Sequence, residues 1–327
     1  MCGVIGLIYE KNRSDLGLIA AELLKTLEYR GYDSTGASTL SLGSDEIRLR
    51  KGVGAPSAMV HKLGIVDLKG HIFCGQVRWA TFGAVTEENS QPHLVRCKTT
   101  LVGAHNGNVT NCDELKVWLG SEGHQVVSDN DGEMVVHTIE HFFSLELLKL
   151  SDSERLDPST RRLVMRKAIL RAAAKLQGSY AAVVVDPVSR YLWAIKQGSS
   201  LYFGFGQDDL GGRFCIASSD LSSVLKLTRV LVPLREGEFV EYGPREHQIY
   251  VLPDAKPLAR EPVRSRLRAK DTALMPPFET FMDQEISAQE DTCRSVISLF
   301  RGGSEASQIL RPYFDQLDSH IKSAIEK

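Results

Sequence analysis

Between residues 14 and 29 the apolar positions Leu16, Ile19, Leu23, Leu24 and Leu27 recur at spacings of three and four, which places them on one face of a helix. Ser14 or Asp15 stands where a cap belongs, and Gly31 where such a helix stops. Ahead of it Val4, Ile5, Leu7 and Ile8 make a short apolar run suited to a strand covered on both faces. Beyond it, segments 36–40, 46–49, 71–80 and 101–104 read as strands, each bounded by Gly, Asn, Asp or Pro. Helical spacing returns over 113–119, over 132–148, where Met134, Ile139, Phe142 and Phe143 form one stripe, and over 161–176. Segment 149–160 is charged, carries Pro158, and reads as an exposed connection and candidate insertion.

After residue 176 the period shortens. Segments 180–186, 191–196, 201–205, 214–218, 238–242 and 248–252 are short, rich in β-branched and aromatic residues, and joined by turns such as Asp186-Pro187 and Gly211-Gly212, which predicts an antiparallel meander. Helices grouped between strand runs predict an α+β architecture of stacked antiparallel sheets with helical outer layers, not a doubly wound parallel sheet. Pro253, Pro257, Pro262, Pro276 and Pro277, interleaved with charges, predict a linker at 253–280. Segments 281–300 and 307–325 are mostly helix-compatible. Two short helices without a sheet are too little for a domain, and their apolar faces (Phe281, Ile286, Val296, Leu299 and Phe300; Ile309, Leu310 and Tyr313) call for cover. The expected division is a domain at 2–252, the linker, and a helical lead-in at 281–327 to something further.

Composition narrows the class. With 327 residues, 43% hydrophobic and 24% charged, the chain can bury one large or two ordinary cores. No stretch approaches the roughly 18 apolar residues of a membrane span, and no basic region precedes an apolar one at the start, so the cytosol is the expected compartment and a membrane is not an expected partner. A net charge of −2 with interspersed signs offers no field for nucleic acid. The six cysteines are scattered, without a C-x-x-C pair or clustered histidines. They read as free thiols, with no disulfide framework, no metal site and no cofactor.

Cys2 is the position that packing does not explain, because a thiol next to a chain end is exposed to oxidation and gains little from burial. Once Met1 is removed, the thiol and a free α-amine belong to the same residue. An α-amine titrates near pH 7.7–8.0, so Cys2 becomes a nucleophile carrying its own base. Thiolate attack on an amide creates an oxyanion, and Asn106 with Gly107 can supply a side-chain and a backbone donor; a plain Asn-Gly turn is the competing reading. Arg78, at a strand end, suits a carboxylate. Asp131, at a helix start, suits an ammonium or serves as a helix cap.

Cys2-Gly3-Val4-Ile5-Gly6, then 27–34 (LEYRGYDS), Arg78-Trp79-Ala80-Thr81, His105-Asn106-Gly107 and Asp131, in this order, closely resemble the glutaminase domain of glucosamine-6-phosphate synthase. That domain is a class II glutamine amidotransferase and an N-terminal-nucleophile hydrolase. The resemblance covers about residues 2–252, includes 177–180 and Ala217-Ser218-Ser219-Asp220, and continues weakly over 281–286. It implies a four-layer αββα fold and hydrolysis of L-glutamine to glutamate and ammonia through a γ-glutamyl thioester on Cys2. Asn106 and Gly107 would form the oxyanion hole, Arg30 would sit beside the nucleophile, Arg78 and Asp131 would hold the substrate's carboxylate and ammonium, and Trp79 and Thr81 would lie on a loop closing over it. For Arg30 and Asp33 a buried pair fastening the first helix to the sheet is an equal expectation.

In that family the ammonia passes to fructose 6-phosphate, giving D-glucosamine 6-phosphate for amino-sugar synthesis. The sugar is bound by an isomerase domain for which residues 1–327 supply no modules; the resemblance also leaves room for a homodimer. Three positions depart from the family pattern. Phe82 stands for a histidine after Thr81, Gln91 for the first histidine of Asn-x-His-Pro-His, and Gly132 for a threonine after Asp131. None touches the nucleophile or the oxyanion donors. They leave open a glutaminase subunit serving another acceptor, and a non-catalytic relative in which Met1 stays in place.

Overall fold

A computed structural model describes residues 2–300, without the side chains of Leu299 and Phe300, and beyond them only positions 308, 311, 312, 315 and 316. The second C-terminal helix expected at 307–325, with Ile309, Leu310 and Tyr313, thus lies outside the described residues. In chain order the elements begin with β1 (Gly3–Arg13), α1 (Leu16–Thr26), β2 (Ser34–Leu40), β3 (Ile47–Val53), α2 (Pro56–Lys62), β4 (Gly70–Arg78), β5 (His93–Val95) and β6 (Leu101–Val109). Then come α3 (Cys112–Ser121), α4 (Asp131–Leu147), α5 (Asp152–Leu156), α6 (Pro158–Lys175), β7 (Gly178–Asp186), β8 (Tyr191–Gln197), β9 (Tyr202–Asp208) and β10 (Gly212–Ser218). The remainder is α7 (Leu221–Leu227), β11 (Val230–Val232), β12 (Glu238–Tyr242), β13 (His247–Val251), β14 (Pro257–Leu258), β15 (Val263–Arg264) and α8 (Phe281–Phe300).

Among the described residues, an eight-stranded sheet in the order β15-β11-β9-β10-β1-β4-β2-β3 faces a seven-stranded sheet in the order β14-β13-β12-β8-β7-β6-β5, and the paired strands are antiparallel. The apolar run of β1 explains itself here. Val4 and Ile8 enter the core between the sheets, with Val102, Ala104 and Val183, while Ile5, Leu7 and Tyr9 pack on α1 through Leu16, Leu23 and Leu24. A strand with both faces buried has no polar side to alternate with. On the far side, β6 and β7 meet α4 and α6 through Val184, Ile139, Phe143 and Ile169. Helix, sheet, sheet, helix is the predicted four-layer α+β arrangement.

Several expectations are modified. The meander is not one sheet: β7, β8, β12 and β13 belong to one, β9, β10 and β11 to the other. The connection at 149–160 contains α5, opened by a Ser151/Glu154 capping box, and Pro158 opens α6 at a position where no N–H is needed. Asn106-Gly107 is not a turn but lies inside β6, opposite Ala181 and Tyr180. The compact unit extends to Thr272, and residues 273–327 form a second. Within the stretch read as linker, β14 and β15 add edge strands to the two sheets. In the second unit, α8 exposes Met282, Ile286, Val296 and Ile297.

Candidate active site

Strand parity brings the chemistry together. Gly3 pairs with Val77, so Cys2 falls opposite Arg78 at the end of β4. Cys2 shares its side of β1 with Val4, and Arg78 shares its side of β4 with Ile72 and Cys74, so both look into the gap between the sheets. Across that gap Asn106 shares the parity of Val102 and Ala104 and looks back. Among the described residues the Asn106 side-chain amide makes no protein hydrogen bond, although the residue is only 6% exposed. Gly107 has φ 153°, and a Cβ there would lie 2.0 Å from Ser179 O, so only glycine fits this point of the strand.

The terminus is held from several directions. Val4 N–H donates to Ser219 Oγ at 3.0 Å and Ser219 N–H returns a bond to Val4 O at 3.0 Å. Arg30 Nε donates to the carbonyl of Cys2 at 3.2 Å, and its Nη1 lies 2.7 Å from Asp220 Oδ2. Asp220 also accepts from Tyr29 Oη and caps α7 through Ser222 N at 2.8 Å. Burial would raise its carboxyl pKa, but Ser222, Tyr29 and Arg30 together hold it below the ordinary range. The expected Arg30–Asp33 pair does not form. Asp33 Oδ2 instead accepts from Ala80 N at 2.7 Å, tying the start of the loop that follows β4. Asp220 and Ser219 sit in a segment that resembles the family, yet nothing in their spacing assigned them to the terminus.

Arg78 is 1% exposed. Its guanidinium donates to Ala84 O at 2.8 Å, Gly83 O at 3.2 Å and Phe82 O, so it organises the loop carrying Thr81. Trp79 O accepts from the Cys2 thiol at 3.4 Å, the Trp79 ring packs on Tyr32 with centroids 5.1 Å apart, and Thr81 and Phe82 are exposed. On the other side of β6, Asp131 Oδ2 accepts from Val109 N at 3.0 Å and from His105 Nε2 at 3.1 Å. Burial opposes ionisation of this carboxyl, yet His105 and Val109 hold its pKa below the ordinary value. The cap of α4 is Asn130, which accepts from Gly132 N at 2.9 Å, so Asp131 itself is not the helix cap.

Burial pushes the Cys2 thiol pKa up, opposed by the Trp79 hydrogen bond and the Arg78 charge and reinforced by Asp131. A thiol so placed needs a base. The charges of Arg78 and Asp131, the two groups expected to hold substrate, both act on this thiol. Away from it, the fold unites Cys97, His124 and His137, a potential metal-ligand set that no sequence spacing disclosed.

A family model described as a glutamine amidotransferase domain matches residues 77–225. The fold is that of the glutamine phosphoribosylpyrophosphate amidotransferase of B. subtilis, with a TM-score of 0.57 and 21% identity over 77% of this chain and 49% of that one. The chain belongs to the glutamine amidotransferases. Among them, the chain corresponds to the glutaminase domain of glucosamine-6-phosphate synthase. The glutamine–fructose-6-phosphate aminotransferase (isomerizing) of Pyrococcus horikoshii is 36% identical over 73% of this chain and 36% of its own length. That of Thermococcus kodakarensis is 30% identical over 98% of this chain and 48% of its own. The chain therefore spans less than half of these relatives.

Proposed function

We propose that the chain hydrolyses L-glutamine, with Cys2 as nucleophile and its own α-amine as base. The observation that carries this reading is the placement of a thiol of raised pKa opposite Arg78 and within the field of Asp131. The free amine takes the thiol proton, and the sulfur attacks the side-chain amide carbon of glutamine. The resulting oxyanion is received by the Asn106 amide and the Gly107 N–H. The amine then returns its proton to the leaving nitrogen, ammonia departs, and a γ-glutamyl thioester remains. Water activated by the same amine cleaves that thioester, releasing glutamate and restoring the thiol. Arg78 and Asp131 orient the substrate's carboxylate and ammonium, Arg30 fixes the Cys2 carbonyl, and Trp79 and Thr81 belong to the closing loop.

In this reading residues 2–252 hold the glutaminase, 253–280 connect it, and 281–327 lead to an isomerase domain that takes the ammonia to fructose 6-phosphate. The exposed apolar residues of α8 suit a helix that another module covers. Ammonia release from glutamine, measured with and without fructose 6-phosphate on protein whose Cys2 amine is confirmed free by intact mass, tests both parts. Hydrolysis without stimulation by the sugar is expected. No ammonia from protein with a free amine would refute the glutaminase reading, and saturable sugar binding to these 327 residues would refute the division of the chain.

A further inference from the structure

Cys97 follows β5, His124 lies in the turn after α3, and His137 is on α4; each offers one ligand atom, and these lie within 4.8 Å of one another. Cys97 Sγ stands 4.0 Å from His137 Nδ1. In a tetrahedral zinc site the same atoms would be about 3.3–3.6 Å apart, so a contraction of about 1 Å by side-chain rotation would complete it. The surroundings are those of ligands. His137 turns its other nitrogen to Glu133 Oε1 at 3.3 Å. Each nitrogen of His124 has a neighbour: Nδ1 is 3.0 Å from Glu140 Oε2 and Nε2 is 3.1 Å from His141 Nδ1. Carboxylates behind metal-bound imidazoles fix the ring and raise its basicity. Both carboxylates are anchored, Glu133 by the N–H groups of Val127 and Ser128 and Glu140 by those of Lys98 and Thr99. Gln125 N–H donates to Cys97 Sγ at 3.2 Å, which fixes the position of the sulfur.

A second observation separates this cluster from an ordinary buried polar network. His124 Nδ1 and Glu140 Oε2, both fully buried, face each other at 3.0 Å as a charge pair with no further hydrogen-bond partner for either atom. Buried polar atoms left in this state require an explanation. A cavity of about 360 Å³, lined in part by Cys97, Gln125, Glu133 and His137, gives access from one side.

We infer that Cys97, His124 and His137 form a binding site for a divalent transition-metal ion, zinc by its thiolate and imidazole donors, with the fourth position open to water in the cavity. The ion would join the segment after β5, the turn after α3 and the body of α4. Its place is structural: it braces the first turns of α4, where Glu133 and Asp131 stand two residues apart, without touching the Cys2 site.

The test uses the full chain in a Cys2→Ala background, so that the reactive thiol takes no part. After treatment with chelator, Zn²⁺ is titrated calorimetrically and Co²⁺ by absorption. The expected result is one ion per chain, a Co²⁺ spectrum with a thiolate charge-transfer band and tetrahedral d–d bands, and a Tm that rises with free Zn²⁺. Cys97→Ser should abolish the charge-transfer band and His124→Ala the stoichiometric binding. Glu140→Gln, which keeps an acceptor for Lys98 and Thr99, should weaken Zn²⁺ by about 10–100-fold. Absence of stoichiometric binding in the Cys2→Ala chain would overturn the proposal. So would binding that survives Cys97→Ser but is lost on Cys293→Ser.

Discussion

Gln91 holds His105 through both its main chain and its ring. His105 N–H donates to Gln91 Oε1 at 2.8 Å, and the ring nitrogen His105 Nδ1 lies 3.2 Å from Gln91 Nε2 and 3.4 Å from Gln91 Oε1. On the other side of the ring, Nε2 donates to the Asp131 carboxylate at 3.1 Å. Gln91 thereby orients the ring that supports the Asp131 carboxylate. The same amide occupies the space in front of residue 132: a Cβ added to Gly132 would lie 2.5 Å from His105 Nδ1 and 2.6 Å from Gln91 Oε1. Two departures from the family pattern, Gln91 and Gly132, are therefore one packing arrangement.

A double-mutant cycle measures that arrangement. Gly132→Ala should destabilise the chain by about 1–3 kcal/mol through overpacking, and much of this should vanish in a Gln91→Ala background, giving a coupling of about 0.5–3 kcal/mol by urea denaturation. Strict additivity would show that the two positions are independent.

Asp220→Asn removes the charge that faces Arg30, leaving a half-buried guanidinium without its carboxylate. Breaking such a pair costs about 3–5 kcal/mol when both partners are buried, and this pair should lie at the lower end. Because Arg30 also holds the Cys2 carbonyl, glutaminase kcat should fall in protein that is still folded by circular dichroism. An unchanged kcat would mean that Arg30 fastens only the scaffold.

Asn106→Ala should lower kcat by about 10²–10³-fold with little change in KM, as expected for one lost oxyanion donor. Arg78→Ala should act mainly on KM and should also free the loop at 79–90, seen as faster limited proteolysis there. Arg78→Lys should not restore the loop, because one ammonium cannot span the carbonyls of Phe82, Gly83 and Ala84 in the guanidinium's planar fork. Reversal of the two kinetic patterns would exchange or remove these assignments.

Two buried histidines predict how stability depends on pH. Burial holds His71 at about 4 and His93 at about 3, against an ordinary 6.5. Below pH 6.5 the unfolded chain takes up protons that the folded chain refuses, so stability present above 6.5 is lost as pH falls toward these values. Tm should drop between pH 6.5 and 4.5, and His71→Gln, which can still donate to Tyr9 O, should flatten the slope. His71 accounts for up to about 3 kcal/mol of the full change. An identical slope in the variant would remove His71 from the account.

Truncation separates the two units. A chain ending at Leu252 loses β14, β15, and the Arg260 bonds to Glu238, and should be less stable than one ending at Thr272. Equal Tm values would show that the edge strands contribute nothing.

The apolar spacing of α1 and α4, the β-branched runs and the isolated Cys2 are local signals. They were enough to predict the layered α+β fold and to single out Cys2, Arg78, Asn106, Gly107 and Asp131 as candidates. Periodicity reports which side of an element is buried, and that survives in a one-dimensional string. It does not report which strand lies beside which. For that reason only the tertiary structure divided the meander between two sheets, placed Asn106-Gly107 within β6, matched Arg30 with Asp220 in place of Asp33, and set Gln91 against Gly132. The same limit hid Cys97, His124 and His137, whose meeting depends on where two connecting segments cross α4. Contacts between segments distant in the chain are made by the packing of whole layers, and no residue carries that information alone.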